Sequence, residues 1–234
     1  RNMKRLVVFT GAGISADSGL KTFRDSDGLW ADYRIEDVCT VDAWHRNPTY
    51  VNDFYTERRK QLPTVQPNEA HKLVASLEQD YEVVIITQNV DDLHERAGST
   101  NIIHRHGELL KLCSSFNKED ESQWQTLDYN NLDLPQGAKA PDGSLLRPYI
   151  VWFGENVPRM EEAVIHVEHA DIFVIVGTSL NVYPAAGLVS FVPKDTPIYI
   201  IDPEADALVS DPRIVQIKEK ASTGMKQLTK LLKI

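Results

Sequence analysis

His106-Gly107 and Gln88-Asn89-Val90-Asp91 are the stretches of this chain with the strongest chemical potential. An imidazole titrates near ~6.5 and is the usual side chain for taking a proton in catalysis. His104 competes for that role, because in an extended segment residues two apart share a face. His106 is favoured, since the glycine after it permits close approach of a ligand. Gln88, Asn89 and Asp91 follow the run Glu82 to Thr87, and their amides and carboxylate can hold sugar hydroxyls, a water or a carboxamide there. Turn formation is the plainer use of Asn and Asp at such a position.

A second chemical motif lies near the start. Gly11-Ala12-Gly13-Ile14-Ser15-Ala16 fits G-x-G-x-x-A directly after an apolar run. Glycines there allow a tight turn and close approach of a pyrophosphate, with the N–H groups of the next helix as donors. A dehydrogenase would show an acidic residue about 20 residues on, after its second strand. Here that stretch, Phe23 to Trp30, is a polar loop. Asp202, just after Ile198–Ile201, suits a ribose better, and a turn aspartate is the equal competitor.

These residues need a frame that brings strand ends together. Lys4 to Thr10, Glu82 to Thr87, Ile172 to Val176 and Ile198 to Ile201 are short continuous apolar runs, and Ile214 to Ile217 is a short fifth. Such runs suit parallel strands covered on both faces. Asn47-Pro48 reads as a helix cap and first turn. Asn68 caps a helix with the stripe Ala70, Leu73, Val74, Leu77, and Met225, Leu228 and Leu232 mark the last helix. Strand alternating with helix implies an α/β, doubly wound, Rossmann-like parallel sheet. Two segments interrupt it: a helical insertion over 31–66, and a polar, loosely structured module over 112–146. Both are expected to form a second, smaller lobe over the carboxyl edge of the sheet, within a single domain spanning 1–234.

The 234 residues carry a net charge of -9 with two cysteines, Cys39 and Cys113. The negative balance argues against nucleic acid and suits a basic, lysine-bearing partner. So few cysteines fit a reducing compartment. Leu6-Val7-Val8-Phe9 is too short for a secretory signal, and no apolar stretch approaches the ~20 residues of a membrane helix. A cytoplasmic monomer without membrane or nucleic-acid contacts is expected.

Taken in order, several blocks resemble the sirtuin signatures: Gly11 to Leu20 with Thr22-Phe23-Arg24; Gln88-Asn89-Val90-Asp91; His106-Gly107; Val151-Trp152-Phe153-Gly154-Glu155; and Gly177-Thr178-Ser179 with Val182-Tyr183-Pro184-Ala185. They run from Lys4 to about Ala221. The resemblance implies an NAD-dependent protein-lysine deacylase that releases nicotinamide and O-acyl-ADP-ribose from acyl-lysine proteins or peptides. It implies catalytic roles for His106, Asn89 and Asp91. It implies NAD contacts for Gly11, Ala12, Gly13, Ser15, Ala16, Phe23, Arg24, Gln88, Asn89, Asp91, His106, Gly177, Thr178, Ser179, Asp202 and Ala221, with Phe23 shielding the reactive sugar face. The peptide is expected to add as a strand between Val151–Glu155 and 181–183, through Val151, Phe153, Gly154, Glu155, Val182 and Tyr183.

Tyr55-Thr56-Glu57-Arg58 is similar to the Y-x-x-R signature of the desuccinylase-like class III (CobB-type) sirtuins. The two side chains lie i, i+3 on one helix, and the resemblance implies that they hold the distal carboxylate of succinyl- or malonyl-lysine, which Arg matches bidentately. Cys39 is expected to line the acyl pocket. Most sirtuins hold a structural zinc with four cysteines. Here Cys113-Ser114-Ser115-Phe116 lacks the second thiol, so no metal is expected and apolar contacts through Trp124, Leu127, Tyr129, Leu132 and Leu134 must stabilise the module. Deacetylation alone, ADP-ribosyl transfer and a Rossmann oxidoreductase are the competing activities, and a non-enzymatic reader is opposed by intact His106, Asn89 and Asp91.

Overall fold

The computed structural model describes residues 3–21, 23–24, 29–178, 187–204 and 211–233, with 23, 24 and 29 by main chain alone. The chain opens with β1 (Arg5–Thr10) and one helical turn, α1 (Gly13–Ala16). A small antiparallel ribbon follows: β2 (Phe23–Arg24), β3 (Leu29–Trp30) and β4 (Tyr33–Arg34). Helices α2 (Ile35–Val38), α3 (Val41–Arg46) and α4 (Pro48–Gln61) form the insertion. Then come α5 (Glu69–Ser76), β5 (Glu82–Thr87), α6 (Leu93–Arg96) and β6 (Ile102–His104). The module is built on β7 (Gly107–Ser114), β8 (Gln125–Thr126) and β9 (Leu146–Ile150). The chain returns through α7 (Met160–Glu168), β10 (Ile172–Val176), β11 (Ile198–Ile201), β12 (Ile214–Ile217) and α8 (Ala221–Leu232).

Six parallel strands lie in the order β12-β11-β10-β1-β5-β6. The expected doubly wound sheet is present, with β6 as a strand that its three residues were too few to announce. Alternation along β1 divides the core. Leu6 and Val8 pack with Val74 of α5 and Met225 and Leu228 of α8, while Val7 and Phe9 pack with Ala163 and Val167 of α7. Burying each such side chain is worth roughly 1.5–3 kcal/mol, which holds the sheet between two helical layers. Asn47 and Asn68 cap α4 and α5 as expected. His71 completes a capping box by accepting the Asn68 amide.

The two interrupting segments pack on one another. Trp30, Trp44, Phe54, Tyr55 and Leu62 of the insertion share a core with Leu109, Ile150 and Trp152. The module is more ordered than its polar sequence suggests, because β7 pairs with β8 and β9 to form a three-stranded antiparallel sheet. Leu112, Leu127, Ala140 and Leu146 are buried beneath it, with Leu134 beside them, and Leu132 is also buried. Trp124 stacks at 4.5 Å on Tyr149, whereas Tyr129 donates instead to Asp92, 2.6 Å away.

A charged residue, not foreseen, joins the insertion to the module. Arg59 is fully buried. Its Nε donates to the Leu109 carbonyl (2.6 Å) and its Nη1 to that of Leu132 (3.2 Å). Burial pulls this guanidinium down to about 10, with Asp133 opposing. The module's thiol does not fit a zinc site. Cys113 is buried in β7 with Sγ 3.7 Å from the Pro148 carbonyl, and burial pushes it up to about 12. The position three residues on is Phe116, 88% exposed. One protonated thiol cannot form the closed tetrahedral set of structural zinc. Purified protein should therefore contain no stoichiometric zinc and keep its thermal midpoint in chelator. Arg59→Ala, which strands two buried carbonyls, should cost about 2–4 kcal/mol in urea unfolding. One zinc per chain, or a chelator-induced unfolding, would contradict this account of the module.

Candidate functional site

The sheet order changes direction at β1, whose neighbours β5 and β10 lead to opposite edges, and ligands bind at such a crevice in open α/β sheets. The sequence places its motifs there. Gly11 and Gly13 donate to the carbonyls of Val176 and Gly177 at 3.0 and 2.9 Å. The glycines serve this main-chain contact. A Cβ on Gly13 would lie 2.7 Å from Gly177 Cα, and Gly177 itself has φ +77°. The expected row of free amides is not present. Ile14 donates to the Gly11 carbonyl, and Ser15 and Ala16 both donate to that of Ala12, within a helix of only one turn. Close packing of the loop engages the amides of Gly11, Gly13, Ile14, Ser15 and Ala16 within the fold.

Polar side chains converge on the same place. Asn89 Nδ2 donates to the Gly11 carbonyl (2.9 Å), and its amide donates to Thr87 Oγ1 (3.0 Å). Asp91 accepts from Ser15 Oγ at 2.8 Å and from the Leu93 amide at 3.0 Å. Burial raises the Asp91 pKa, while Leu93, Ser15 and His104 pull it down. Gln88 Oε1 and the Thr178 side chain both lie over Gly11. Beneath them is a buried layer absent from the sequence expectations. Thr10 Oγ1 donates to Thr87 Oγ1 (2.7 Å) and lies 3.0 Å from His94 Nε2, and the His71 ring meets that of His94 at 5.2 Å between centroids. Asn68 ties this layer to the loop by donating to the Ile14 carbonyl at 2.7 Å. Its cap signal was legible and its second bond was not.

His106 is half-buried at the edge of this cluster. Burial, then the Arg105 charge, pushes its ring down to about 4, with the Gln88 main chain opposing. It is therefore neutral, the form able to accept a proton. Gly107 has a different purpose from the one expected. Its φ is +94°, and a Cβ would lie 2.0 Å from the Tyr149 carbonyl oxygen. The chain, with or without a ligand, requires that glycine. His104 faces inward, with Nδ1 2.9 Å from the Asn89 carbonyl oxygen and Nε2 2.7 Å from Glu95 Oε2.

Other expected residues divide. Asp202 accepts from the Glu204 amide at 2.7 Å, forming a turn at the end of β11 beside Gly177. Ala221 is buried at the first position of α8 against Ile201 and Met225. Ser179, Val182 and Tyr183 lie outside the described residues, as do the side chains of Phe23 and Arg24, whose main chain pairs with β3.

On the substrate side, the Phe153 amide donates to the Cys39 carbonyl (3.0 Å), and the Val151 amide to that of His106 (2.9 Å). Phe153 is 55% exposed, and Gly154 turns the chain with φ +90°. Glu155 points inward and is committed to Arg147 at 2.8 Å and to the Trp152 amide at 2.9 Å. A carboxylate engaged in this way shapes the strand and is not free for a peptide. Trp152 is core, stacked on Arg147 at 3.5 Å.

Tyr55 and Arg58 share a face of α4, but in different states. The Tyr55 hydroxyl donates to the Val38 carbonyl (2.8 Å) and accepts from Trp152 Nε1 (3.2 Å). Arg58 lies 4.9 Å over the Phe54 ring and 6.0 Å from that of Tyr33. Its Nη2 meets Glu57 at 3.3 Å, and its buried Nε and Nη1 have no partner among the described residues. Cys39, beside the Tyr55 hydroxyl, is pushed by burial to about 11 and stays a thiol.

Comparison with known proteins follows the same residues. The Sir2 family model matches residues 11–184. The chain is 52% identical to an NAD-dependent protein deacylase of Bacteroides thetaiotaomicron over 98% of both chains. It is 50% identical to an NAD-dependent protein deacylase of Helicobacter pylori, over 97% of this chain and 96% of that one. A Sir2 homologue in complex with NAD superposes with TM-score 0.84 at 38% identity, covering 99% of this chain and 90% of that one. A Sir2 bound to a p53 peptide and NAD+ superposes at 0.76 with 27% identity, covering 99% and 95%.

The buried histidines set a dependence of stability on pH. Burial pushes His71 down to about 4 and His94 well below its ordinary value, as it does His106. The unfolded chain takes up protons below ~6.5 while these folded rings do not. Their contribution therefore weakens as pH falls from ~6.5 to about 4, by about 3 kcal/mol for His71 alone. His104 is raised, so its contribution is already complete below ~6.5 and does not offset this loss. Urea midpoints should fall steadily between pH ~6.5 and ~4.5. A flat profile would mean that the buried rings are charged.

Proposed function

The chain belongs to the Sir2 family, and from that membership we propose how its own residues serve the reaction and which acyl groups it takes. It is an NAD-dependent protein deacylase with NAD as cofactor, acting on acylated proteins or peptides. When bound, NAD supplies the ribose that accepts the acyl group. His106 is the general base, supported by its neutral, half-buried ring beside the Gln88 main chain. Asn89 and Asp91 hold the ribose side, with Gly11, Ala12, Gly13, Ser15, Gln88, Gly177 and Thr178 forming the surrounding walls. Asp202 is placed for the far ribose. The peptide lies along Val151–Gly154, where Phe153 is 55% exposed and Glu155 acts from behind through Arg147. The whole chain is one catalytic domain, and its net charge of -9 favours a basic partner over nucleic acid.

The acyl group is succinyl or malonyl in preference to acetyl. The observation that carries this is Arg58, whose buried Nε and Nη1 have no acceptor among the described residues and whose guanidinium lies over the Phe54 ring. A buried guanidinium in that state is stabilised strongly by a carboxylate. Tyr55 contributes less than Arg58, because its proton is already given to Val38.

Two measurements test these assignments. His106→Ala should lose ~10²–10⁴-fold in turnover while retaining the fold and NAD binding. Near-normal turnover, together with a dead His104→Ala, would move the base to His104. For acyl choice, kcat/KM is compared on one peptide carrying succinyl- or acetyl-lysine. Arg58→Met should lower the succinyl value about 10- to 100-fold, from roughly 1.5–3 kcal/mol for a hydrogen bond to charge, and Tyr55→Phe should lower it less. Equal losses on both peptides would make Arg58 a structural residue of the lobe.

A further inference from the structure

His104 is 5% exposed, and the reaction as assigned does not use it. Its surroundings specify its protonation. Nδ1 faces the Asn89 carbonyl oxygen at 2.9 Å, and Nε2 faces Glu95 Oε2 of α6 at 2.7 Å, with Glu108 Oε1 of β7 at 3.9 Å. A neutral imidazole has one N–H, and a carbonyl and a carboxylate only accept. With a single proton, one of these two contacts would set lone pair against lone pair. The His104–Glu95 pair must therefore hold an additional proton. It resides on the ring, since the Glu95 side chain is 40% exposed and Lys111, which pairs with Glu108 at 2.7 Å, also favours the charged carboxylate. The remaining titratable neighbours are Asp91 in the turn and His94 on α6.

We propose that His104 is a positioning residue for deacylation: clamped as an imidazolium between Glu95 and the Asn89 carbonyl, it fixes the turn that presents Asn89 and Asp91. This rests on the reading that the turn holds NAD. The turn's other tethers are the Gln88 amide on the Thr10 carbonyl, the Asn89 amide on Thr87, the Asn89 side chain on Gly11, the Leu109 amide on the Val90 carbonyl, and Ser15 Oγ and the Leu93 amide on Asp91. Among the described residues none of these bonds is made to the peptide group between residues 89 and 90 itself, whose carbonyl His104 holds. The same strand end carries His106 two residues on, so the clamp and the base move as one piece. Burial disfavours the charged ring, but the Glu95 hydrogen bond and charge, then Glu108, outweigh it and raise the His104 pKa. The clamp is thus complete at low pH and is released as pH rises through that raised value.

The experiment compares kcat and the KM for NAD from pH ~6 to ~9 at saturating acyl-peptide. In the wild type the NAD KM should rise about ten-fold across the alkaline limb, with a smaller change in kcat, because a charged hydrogen bond gives way to a neutral one. Glu95→Gln offers an amide N–H to Nε2 and leaves Nδ1–H on Asn89, so a neutral ring keeps its place. That variant should keep the wild-type KM at low pH and lose the alkaline rise. His104→Asn, which retains a donor near the Nδ1 position, should behave likewise, and His104→Ala should have a raised KM throughout. Ring ¹⁵N spectra of the wild type should show both His104 nitrogens protonated at pH ~6. An alkaline limb retained in Glu95→Gln, or a singly protonated ring at that pH, overturns the proposal. An unchanged NAD KM in Asn89→Ala would instead overturn the placement of NAD on the turn.

Discussion

Everything at the site depends on two main chains meeting with no side chain between them. Where the sheet order diverges at β1, the loop after β1 and the end of β10 close together through Gly13 and Gly177. A Cβ on Gly13 would stand 2.7 Å from Gly177 Cα, and one on Gly177 would stand 2.4 Å from the Ile14 nitrogen. Neither neighbour is the end of a flexible side chain that can move aside. The contact sets how near β1's loop comes to the Gln88–Asp91 turn, and so whether Asn89 reaches the Gly11 carbonyl and Ser15 reaches Asp91. The cost is that the amides of Gly11 and Gly13 are given to the end of β10, and those of Ile14, Ser15 and Ala16 to the loop itself.

Those side chains are held from below by a polar layer with almost no water access. Thr10, Thr87 and His94 bond one another between β1, β5 and α6, while His71 and Asn68 bring in α5. In a low-dielectric interior such bonds are stronger, and an unpaired polar atom is correspondingly costly. His94 Nδ1 is one such atom among the described residues. Burial keeps His71 and His94 neutral, so the layer orders the loops without adding charge beneath them. Charge enters instead at Glu95–His104, on the far side of the turn.

Much of this was legible in the sequence for a plain reason: strands buried on both faces must be continuous apolar runs, and helices announce themselves through Asn47-Pro48 in the insertion and Asn68 at α5. The module was harder to read. Its sheet uses β7 residues such as Lys111 and Ser114, whose composition resembles a loop, and its support comes from Arg59, a residue that sequence patterns assign to a surface. At the site, residue types were legible and the reasons for them less so. Gly107 was expected to make room for a ligand, yet it makes room for Tyr149. Glu155 was expected at the peptide and is locked to Arg147. In each case the partner lies far along the chain or on another strand, beyond what local spacing can encode.

Tyr55 and Arg58 show why shared helical spacing does not mean a shared state. Tyr55 and Arg58 sit one helical turn apart, and either residue alone could carry the polar end of an acyl chain. The tyrosine hydroxyl, however, is saturated by Val38 and Trp152, and thereby fastens α4 to the strand that carries Phe153. Arg58 is pressed against Phe54 with two nitrogens unpaired. Its Nη2 meets Glu57, but buried donors left without a partner carry a desolvation cost. Here Arg59, the adjacent residue, finds two carbonyls in the module, so acceptors were available to this helix and Arg58 is turned away from them. The division is therefore physical: Arg59 ties the insertion to the module, Tyr55 ties α4 to Val38 and Trp152, and Arg58 keeps two nitrogens without a partner among the described residues, the feature on which its proposed role rests.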